Sequence, residues 1–255
     1  MRAGHLADTL FIADLHLDPQ RPAVTALFEN FVDALTPVDC AALYILGDLF
    51  EAWIGDDEDQ PEARRVIERL RALSDRGVPL YLLRGNRDFL LGEGFERDSG
   101  GQLLNEPALI DLYGEPTLLL HGDSLCTDDL DYQRFRQQVR DPDWQHAFLA
   151  RPLAERRAIA AGLRETSREQ TAVKQAEIMD VNPQAVASLM REHGVRRLIH
   201  GHTHRPAIHE FALDGAPATR MVLGDWYEQG SLLRCGPGGC RLESLPLEGG
   251  NPGMP

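Results

Sequence analysis

The stretch that decides the fold is Thr9-Leu10-Phe11-Ile12-Ala13-Asp14-Leu15-His16. It is an apolar run that ends in two residues of the kind that bind metal ions, Asp14 and His16. A continuous apolar run is typical of a strand buried on both faces of a sheet. In α/β proteins the ligands and catalytic groups lie on the loops that leave such strands. The stretch therefore predicts a buried strand with a functional loop directly after it.

Four more segments end in residues of the same kind: Leu46-Gly47-Asp48, Arg84-Gly85-Asn86-Arg87-Asp88, Leu120-His121-Gly122-Asp123 and Gly201-His202-Thr203-His204. Four of the five segments follow an apolar run. Singly, Asp14 and Asp48 could cap helices, Asn86 could hold a left-handed turn, and the two histidines near residue 203 could lie on the surface. Jointly, seven candidate ligands on five loops predict two adjacent metal sites: Asp14, His16, Asp48, Asn86, His121, His202 and His204.

Two divalent ions about 3.5–4 Å apart suit the hydrolysis of phosphate esters and anhydrides. They ionise a water near neutral pH, neutralise phosphoryl oxygens and set in-line attack. Asp48 is the natural bridging carboxylate. Oxygen and imidazole ligands without thiolates favour Mn, Fe or Zn over Ca or a structural zinc.

Strands and helices alternate along the first part of the chain. Strands are predicted at Thr9–Ala13, Leu43–Leu46, Leu80–Leu83, Thr117–Leu120, Arg197–His200 and Met221–Leu223, with a late hairpin of Ser231–Cys235 and Cys240–Leu245. Helices are predicted at about Ala23–Leu35, Glu62–Asp75 and Pro183–His193. Two longer helices, Asp131–Ala150 and Leu153–Met179, follow His121 and would cover the metal sites as a cap. The expected fold is α/β (α+β), a sandwich of two mixed sheets with helices outside.

Composition limits the class of protein. A chain of 255 residues with ligands from Asp14 to His204 predicts one domain over residues 1–247, including a cap at about 130–180. Residues 248–255 should form a disordered tail. A net charge of −14 argues against broad nucleic-acid binding. The chain lacks a membrane-spanning apolar stretch and a signal-peptide pattern, which predicts a cytoplasmic location. In that setting Cys235 and Cys240 are expected to be reduced, although they could pair across the hairpin.

The five segments resemble the calcineurin-like, binuclear metallophosphoesterases, whose signature is D-x-H, G-D, G-N-H-[DE], H and G-H-x-H. Longer matches lie at 12–17, 47–57, 85–90, 121–129 and 200–206. These are similar to the family of pyrophosphohydrolases that act on UDP-2,3-diacylglucosamine in lipid A synthesis. The resemblance runs from about Thr9 to about Leu247.

This resemblance implies hydrolysis of UDP-2,3-diacylglucosamine to UMP and 2,3-diacylglucosamine 1-phosphate (lipid X), by metal-activated water attacking the α-phosphorus. It implies two divalent ions, Mn²⁺, one held by Asp14, His16 and His204, the other by Asn86, His121 and His202, with Asp48 shared. It also implies substrate contacts from Asn86, Arg87, Asp129, Ser167, Lys174 and His202. An asparagine expected in the cap falls on Thr171 here, so that contact would be lost or replaced by the hydroxyl.

Position 87 departs from the wider superfamily, which commonly has histidine after G-N. Arg87 cannot donate a proton usefully, since the pKa of arginine exceeds about 12. A phosphate leaving group needs no such donor, because its second pKa is about 6. Arg87 therefore favours cleavage of a pyrophosphate over a phosphomonoester, with the guanidinium binding phosphate oxygens. The alternative is an arginine that pairs with Asp88 for structural reasons.

The cap carries the only lysine of the chain. Lys174 shares one helical face with Ser167 and Thr171, as the i, i+4 and i+7 spacing requires. A solvent-exposed site for this lysine is the alternative.

Residues 131–180 hold nine basic and eight acidic side chains, so this region is the least acidic part of the protein. With Trp144, Phe148 and Leu149 available for insertion, it predicts weak peripheral binding to the cytoplasmic face of the inner membrane. A solvated helix pair is the alternative. No nucleic-acid or obligate protein partner is expected.

Three other functions remain open from the residues. One is a different phosphohydrolase or phosphodiesterase of the same superfamily, which would cleave substrates without acyl chains equally well. A second is a non-catalytic scaffold, which would have lost ligands, whereas all seven are present. The third is a structure-specific nuclease, which the acidic charge disfavours.

Overall fold

The computed structural model describes residues 7–173 and 180–247, and within Leu153–Val173 it describes the side chains only up to residue 165. Six strands form the first sheet: Asp8–Ile12 (β1), Cys40–Leu46 (β2), Leu80–Leu83 (β3), Gln102–Leu103 (β4), Gln229–Gly236 (β10) and Gly239–Pro246 (β11). Their order is β11-β10-β1-β2-β3-β4. The pairs from β1 to β4 are parallel, and β10 and β11 form an antiparallel hairpin beside β1.

Five strands form the second sheet: Ala108–Leu112 (β5), Glu115–Leu119 (β6), Arg197–His200 (β7), Ala207–Leu213 (β8) and Ala216–Val222 (β9). Their order is β5-β6-β7-β9-β8, with β6, β7 and β9 parallel. Each sheet therefore contains a parallel core, whose strands end at the same edge of the sheet. The predicted sandwich of two mixed sheets is confirmed.

Alternation along β1 divides the core into layers, since successive side chains of a strand point to opposite faces. Phe11 packs between the sheets with Leu46, Ile199 and Met221. Leu10 faces the other way, toward the helices on the outside of the first sheet. Those helices are Pro22–Ala34 (α1), Pro61–Asp75 (α2) and Glu93–Ser99 (α3). Pro183–Glu192 (α7) covers the second sheet through a separate apolar cluster.

The cap contains three helices in the described residues, Leu130–Val139 (α4), Pro142–Leu149 (α5) and Leu153–Val173 (α6). The predicted single helix Asp131–Ala150 is wrong, because it breaks before Pro142. A residue that precedes proline is disfavoured in the helical region, and Asp141 is extended (φ −67°, ψ 126°). Its carboxylate accepts hydrogen bonds from the backbone N–H groups of Asp143 and Trp144, so Asp141 starts a new helix.

The predicted strands and the hairpin are confirmed, while α3, β4, β5 and β8 were not predicted from the sequence. Cys235 and Cys240 form a disulfide across the hairpin, so the expectation of reduced thiols is wrong. The end of the predicted helix to Met179 and the predicted tail at 248–255 lie outside the described residues. Among the described helices, none is both long enough and apolar enough to cross a bilayer.

Candidate metal centre

The seven predicted ligands lie on the loops that follow β1, β2, β3, β6 and β7. Because these are the parallel strands of the two sheets, their carboxyl ends bring the five loops together at one edge of the sandwich. The predicted convergence of the side chains is therefore observed. Two overlapping groups of them have the spacing of metal ligands, Asp14 with His16 and His204, and Asp14 with Asp48 and His121.

Six of the seven side chains lie in two clusters. In the first, Nε2 of His204 lies 3.3 Å from Nε2 of His16 and 3.4 Å from Oδ1 of Asp14. In the second, Oδ1 of Asn86 lies 2.9 Å from both Nε2 of His121 and Nδ1 of His202. This division matches the two ligand sets that the family resemblance implies.

Asp48 lies between the clusters. Its Oδ2 atom is 3.7 Å from Nε2 of His16 and 3.7 Å from Nε2 of His121. Its other oxygen accepts a hydrogen bond of 2.7 Å from the backbone N–H of Arg87. One oxygen is thus fixed by the protein, while the other faces both clusters, as a bridging ligand requires.

The chemistry of these groups fits a pair of cations. Oδ1 of Asp14 is buried and has no hydrogen-bond partner within the described residues. Burial raises the pKa of Asp14, but contact with His204 and the charges of His121 and His16 lower it to about 2. Buried lone pairs that face one another need a positive partner to offset their desolvation. Oxygen and nitrogen donors without sulfur suit divalent ions, which the family also implies.

Most of the candidate ligands also have an unusual backbone conformation, with positive φ. Positive φ is uncommon for residues other than glycine. It occurs at seven such residues in the described chain, and five of these are Asp14, His16, Asp48, His202 and His204, with φ between 49° and 68°. A left-handed conformation costs about 1–3 kcal/mol and tends to cluster at functional sites. Folding therefore maintains an unfavourable backbone where the ligands converge.

Glycines before the ligands allow the loops to touch. A Cβ on Gly47, which has φ of 90°, would lie 2.6 Å from Nδ1 of His121. A Cβ on Gly85 would lie 2.0 Å from Oδ1 of Asp48. The G-D and G-N pairs thus combine a ligand with the smallest residue because the neighbouring loop fills the remaining space.

Asp88, not predicted as a site residue, joins the loops after β2 and β3. Its fully buried carboxylate accepts hydrogen bonds from the backbone N–H groups of Asp48 (3.2 Å), Leu49 (2.8 Å) and Gly85 (2.8 Å). Burial and the charge of Asp48 raise the pKa of Asp88 to about 6. The alternative that Asp88 pairs with Arg87 is not supported, because backbone amides occupy its oxygens.

Two acidic residues, Glu106 and Asp123, connect His121 and its loop to their surroundings. The backbone N–H of His121 donates to Glu106 (2.8 Å), and the buried Asp123 accepts hydrogen bonds from Tyr132 and Arg136 of α4 (both 2.8 Å). Burial raises the pKa of Asp123, but the charges of His121 and Arg136 hold it well below its usual range. These contacts attach the start of the cap to the second ligand cluster.

A sixth loop, 223–228, also reaches the site and was missed. Oδ2 of Asp225 lies 3.3 Å from Nδ1 of His204, and the ring of Tyr227 stacks on that of His16 at 5.4 Å. The backbone N–H of Trp226 donates to the carbonyl of Asp14 (3.1 Å). Leu223-Gly224-Asp225 repeats the signal of the G-D segment, an apolar strand followed by glycine and aspartate, so the sequence did contain it.

The structure describes the side chains of some of the expected substrate residues and not of others. Arg87 is half-buried, and its Nε atom is buried with no hydrogen-bond partner in the described part of the chain. Asp129 starts α4, where its side chain accepts from the backbone N–H of Tyr132. Ser167 and Thr171 lie on α6 but their side chains are outside the description, as is all of Lys174.

Helix α6 and the body of the protein enclose a groove of about 330 Å³ beside His16. Apolar groups from both sides line it, among them Leu17, Phe50, Ile54 and Ala160. Arg156 holds the helix in place, donating to the carbonyl of Ile54 and to Asp57. Helix α6 is thus anchored to the loop that follows Asp48.

Known proteins match most of the length of this chain. The family model for calcineurin-like phosphoesterases matches residues 8–206. A protein from Stenotrophomonas maltophilia named UDP-2,3-diacylglucosamine hydrolase is 55% identical over 94% of this chain and 99% of its own. Proteins of the same name from Cellvibrio japonicus and Aeromonas hydrophila are 53% and 54% identical, also over 94% of this chain, and over 100% and 99% of their own. The chain belongs to the calcineurin-like phosphoesterase family.

Proposed function

We propose that the protein hydrolyses the pyrophosphate bond of UDP-2,3-diacylglucosamine to UMP and 2,3-diacylglucosamine 1-phosphate, as a step in lipid A synthesis. The observation that carries this proposal is the position of Asp48, whose Oδ2 atom is 3.7 Å from an imidazole nitrogen of each cluster. The names of the relatives supply the substrate class. The match covers 94% of this chain and 99% of the relative, so the activity of the whole relative can be proposed for this chain.

In this proposal Asp14, His16 and His204 hold one divalent ion, Asn86, His121 and His202 hold the other, and Asp48 bridges them. When bound, the two ions supply a water ionised near neutral pH and positive charge for the phosphoryl oxygens. Mn²⁺ is the expected ion from the family resemblance. Asn86 and His202 would contact the substrate as well as hold the second ion.

Arg87 is proposed to bind the pyrophosphate. Its backbone N–H is tied to Asp48, which places the residue directly beside the candidate bridging ligand. Its Nε atom has no hydrogen-bond partner among the described residues, and the guanidinium is proposed to donate to phosphate oxygens. Since arginine remains protonated, Arg87 would stabilise the leaving phosphate by charge and not by proton transfer.

The groove beside His16 is proposed to receive acyl chain. It opens next to Leu17 and Asp18, directly after a candidate ligand, and its lining combines apolar groups with charged groups of both signs, among them Glu58, Glu62 and Arg164. A groove that combines apolar surface with polar groups is typical of a ligand site. Asp129, Ser167, Thr171 and Lys174 remain proposed contacts to the sugar nucleotide from the cap.

We also propose that residues 1–247 act as one domain with 130–180 as its cap, in the cytoplasm at the inner membrane surface. The expected insertion of Phe148 is wrong, because its side chain is buried and stacks on Trp144. Among the described side chains of the cap, the large apolar ones that are exposed are Leu130, Leu149 and Leu163. Sedimentation with anionic liposomes tests this surface, and Leu149→Ser/Leu163→Ser should reduce binding if the cap is the contact.

The reaction is tested in H₂¹⁸O with the diacylated sugar nucleotide, with Mn²⁺ or after EDTA treatment. Attack on the α-phosphorus places one ¹⁸O atom in UMP and none in the sugar phosphate. UDP-glucosamine without acyl chains is the matched substrate and should be cleaved far more slowly. Equal turnover of both substrates would favour a general nucleotide phosphohydrolase.

A further inference from the structure

The carboxylate of Glu51 lies behind His16. Nδ1 of His16 is 3.0 Å from Oε2 of Glu51, and both side chains are nearly inaccessible to solvent. The backbone N–H of Glu51 donates to the carbonyl of Leu17, so the carboxylate is attached to the same loop pair as the imidazole. This close approach places negative charge beside Nδ1 of His16, while Nε2 of the same ring lies 3.3 Å from Nε2 of His204.

His204 has the same arrangement with a different carboxylate. Its Nδ1 is 3.3 Å from Oδ2 of Asp225, while its Nε2 faces Asp14. Tyr227, two residues later, stacks on His16, and Arg21 lies over the Tyr227 ring at 4.3 Å. The sixth loop therefore contacts both imidazoles of the first cluster, through Tyr227 on the face of His16 and Asp225 at Nδ1 of His204.

In the second cluster, the group behind the imidazole of His121 is neutral. Nδ1 of His121 lies 2.9 Å from the carbonyl oxygen of Leu46, a neutral acceptor. A carboxylate behind a metal-bound imidazole fixes its tautomer and makes it a stronger donor, and loss of such a partner typically costs 10- to 100-fold in metal affinity. A carbonyl fixes the tautomer but contributes less negative charge.

We propose that Glu51 and Asp225 are positioning residues for His16 and His204, and that they make the first cluster the tighter of the two metal sites. This inference rests on the metal assignment of the proposed function. It adds two residues on separate loops, one after β2 and one after β9, that act on the ions through the imidazoles.

The test measures Mn²⁺ binding directly, by calorimetry and electron paramagnetic resonance, without substrate. Asn86→Ala disables the second site and leaves the first. On this background, Glu51→Gln and Asp225→Asn should each weaken the remaining Mn²⁺ affinity about 10- to 100-fold. On a His204→Ala background, which leaves only the second site, Glu51→Gln should change the affinity less than about threefold.

Glu243→Gln is the matched control, because Glu243 is a half-buried acid that pairs with Arg234 and Arg241 of the hairpin. Its Mn²⁺ affinities should equal those of the wild type. Thermal unfolding of the metal-free variants checks their folding. If Glu51→Gln does not fold, Asp225→Asn, whose side chain is partly exposed, decides the question.

Unchanged affinity in both variants on the Asn86→Ala background would overturn the inference while leaving the metal assignment intact. Equal weakening on both backgrounds would also overturn it, since the effect would then be general destabilisation. A wild-type protein that binds no Mn²⁺ would overturn the metal assignment itself. The inference is supported by weakening that occurs on the Asn86→Ala background alone.

Discussion

Replacement of Asp88 by alanine should destabilise the metal-free protein by about 3–5 kcal/mol. The side chain is fully buried, and its two oxygens accept from three backbone N–H groups, of Asp48, Leu49 and Gly85. A buried donor left without a partner costs about 1–3 kcal/mol, so three give about 3–9 kcal/mol. Burial beside Asp48 disfavours the Asp88 carboxylate, as its raised pKa shows. Removing that charge offsets part of the loss, which places the estimate near the lower end.

The measurement is urea unfolding at pH 7.5 with EDTA, since bound ions would add their own stabilisation. Asp88→Asn keeps one acceptor oxygen and should lose roughly half as much as Asp88→Ala. Asp98→Ala is the control, because Asp98 is a partly exposed aspartate that pairs with Arg64 and Arg97. Its loss should stay below about 1 kcal/mol.

A loss in Asp88→Ala no larger than that of Asp98→Ala would refute the argument, since three unsatisfied buried amides cannot be free of cost. In the folded fraction of Asp88→Ala, activity should fall as well. The same carboxylate holds the backbone of Asp48 against the loop that carries Asn86, so its removal loosens two candidate ligands at once.

Four further outcomes are expected. Asp48→Ala should abolish turnover, and activity within tenfold of wild type after metal depletion and Mn²⁺ reloading would contradict the two-metal site. Arg87→Ala should lower kcat/KM roughly 30- to 1,000-fold, as measured by UMP release, because about 2–4 kcal/mol of transition-state stabilisation is lost. Arg87→His should give no gain on the pyrophosphate, and faster cleavage of alkyl phosphomonoesters by the wild type would contradict the leaving-group argument. Arg156→Met should release α6 from Ile54 and Asp57 and cost about 1.5–3 kcal/mol, which limited proteolysis of the cap would detect.

The cap illustrates where sequence patterns are ambiguous. The pattern of residues 131–150 predicted one helix, but Pro142 interrupts it. From the sequence, Asp141 could lie inside one helix or be the N-cap residue of a second helix. Phe148 was expected to be available for insertion into a membrane, together with Trp144 and Leu149. The break at Pro142 turns α5 so that Phe148 and Trp144 pack onto the core and near Phe89.

The short elements were missed for a related reason. Strand β4 has two residues and β5 alternates weakly between exposed and half-buried positions, so neither produces a clear period in the sequence. They form because a neighbouring strand already offers unpaired backbone groups. The disulfide between Cys235 and Cys240 likewise depends on the register of the hairpin, which places the two residues directly opposite each other.

The sequence by itself determined the strands and the candidate ligands that follow them. An apolar run and a terminal Asp, Asn or His are local features, and four of the five segments carry both. Only the tertiary structure decided how closely the candidate ligands approach one another, that Oδ2 of Asp48 faces both clusters, and that Glu51, Asp88 and Asp225 contact them. Those relations join residues up to about two hundred positions apart. They arise from sheet order and loop contact, which no local pattern encodes.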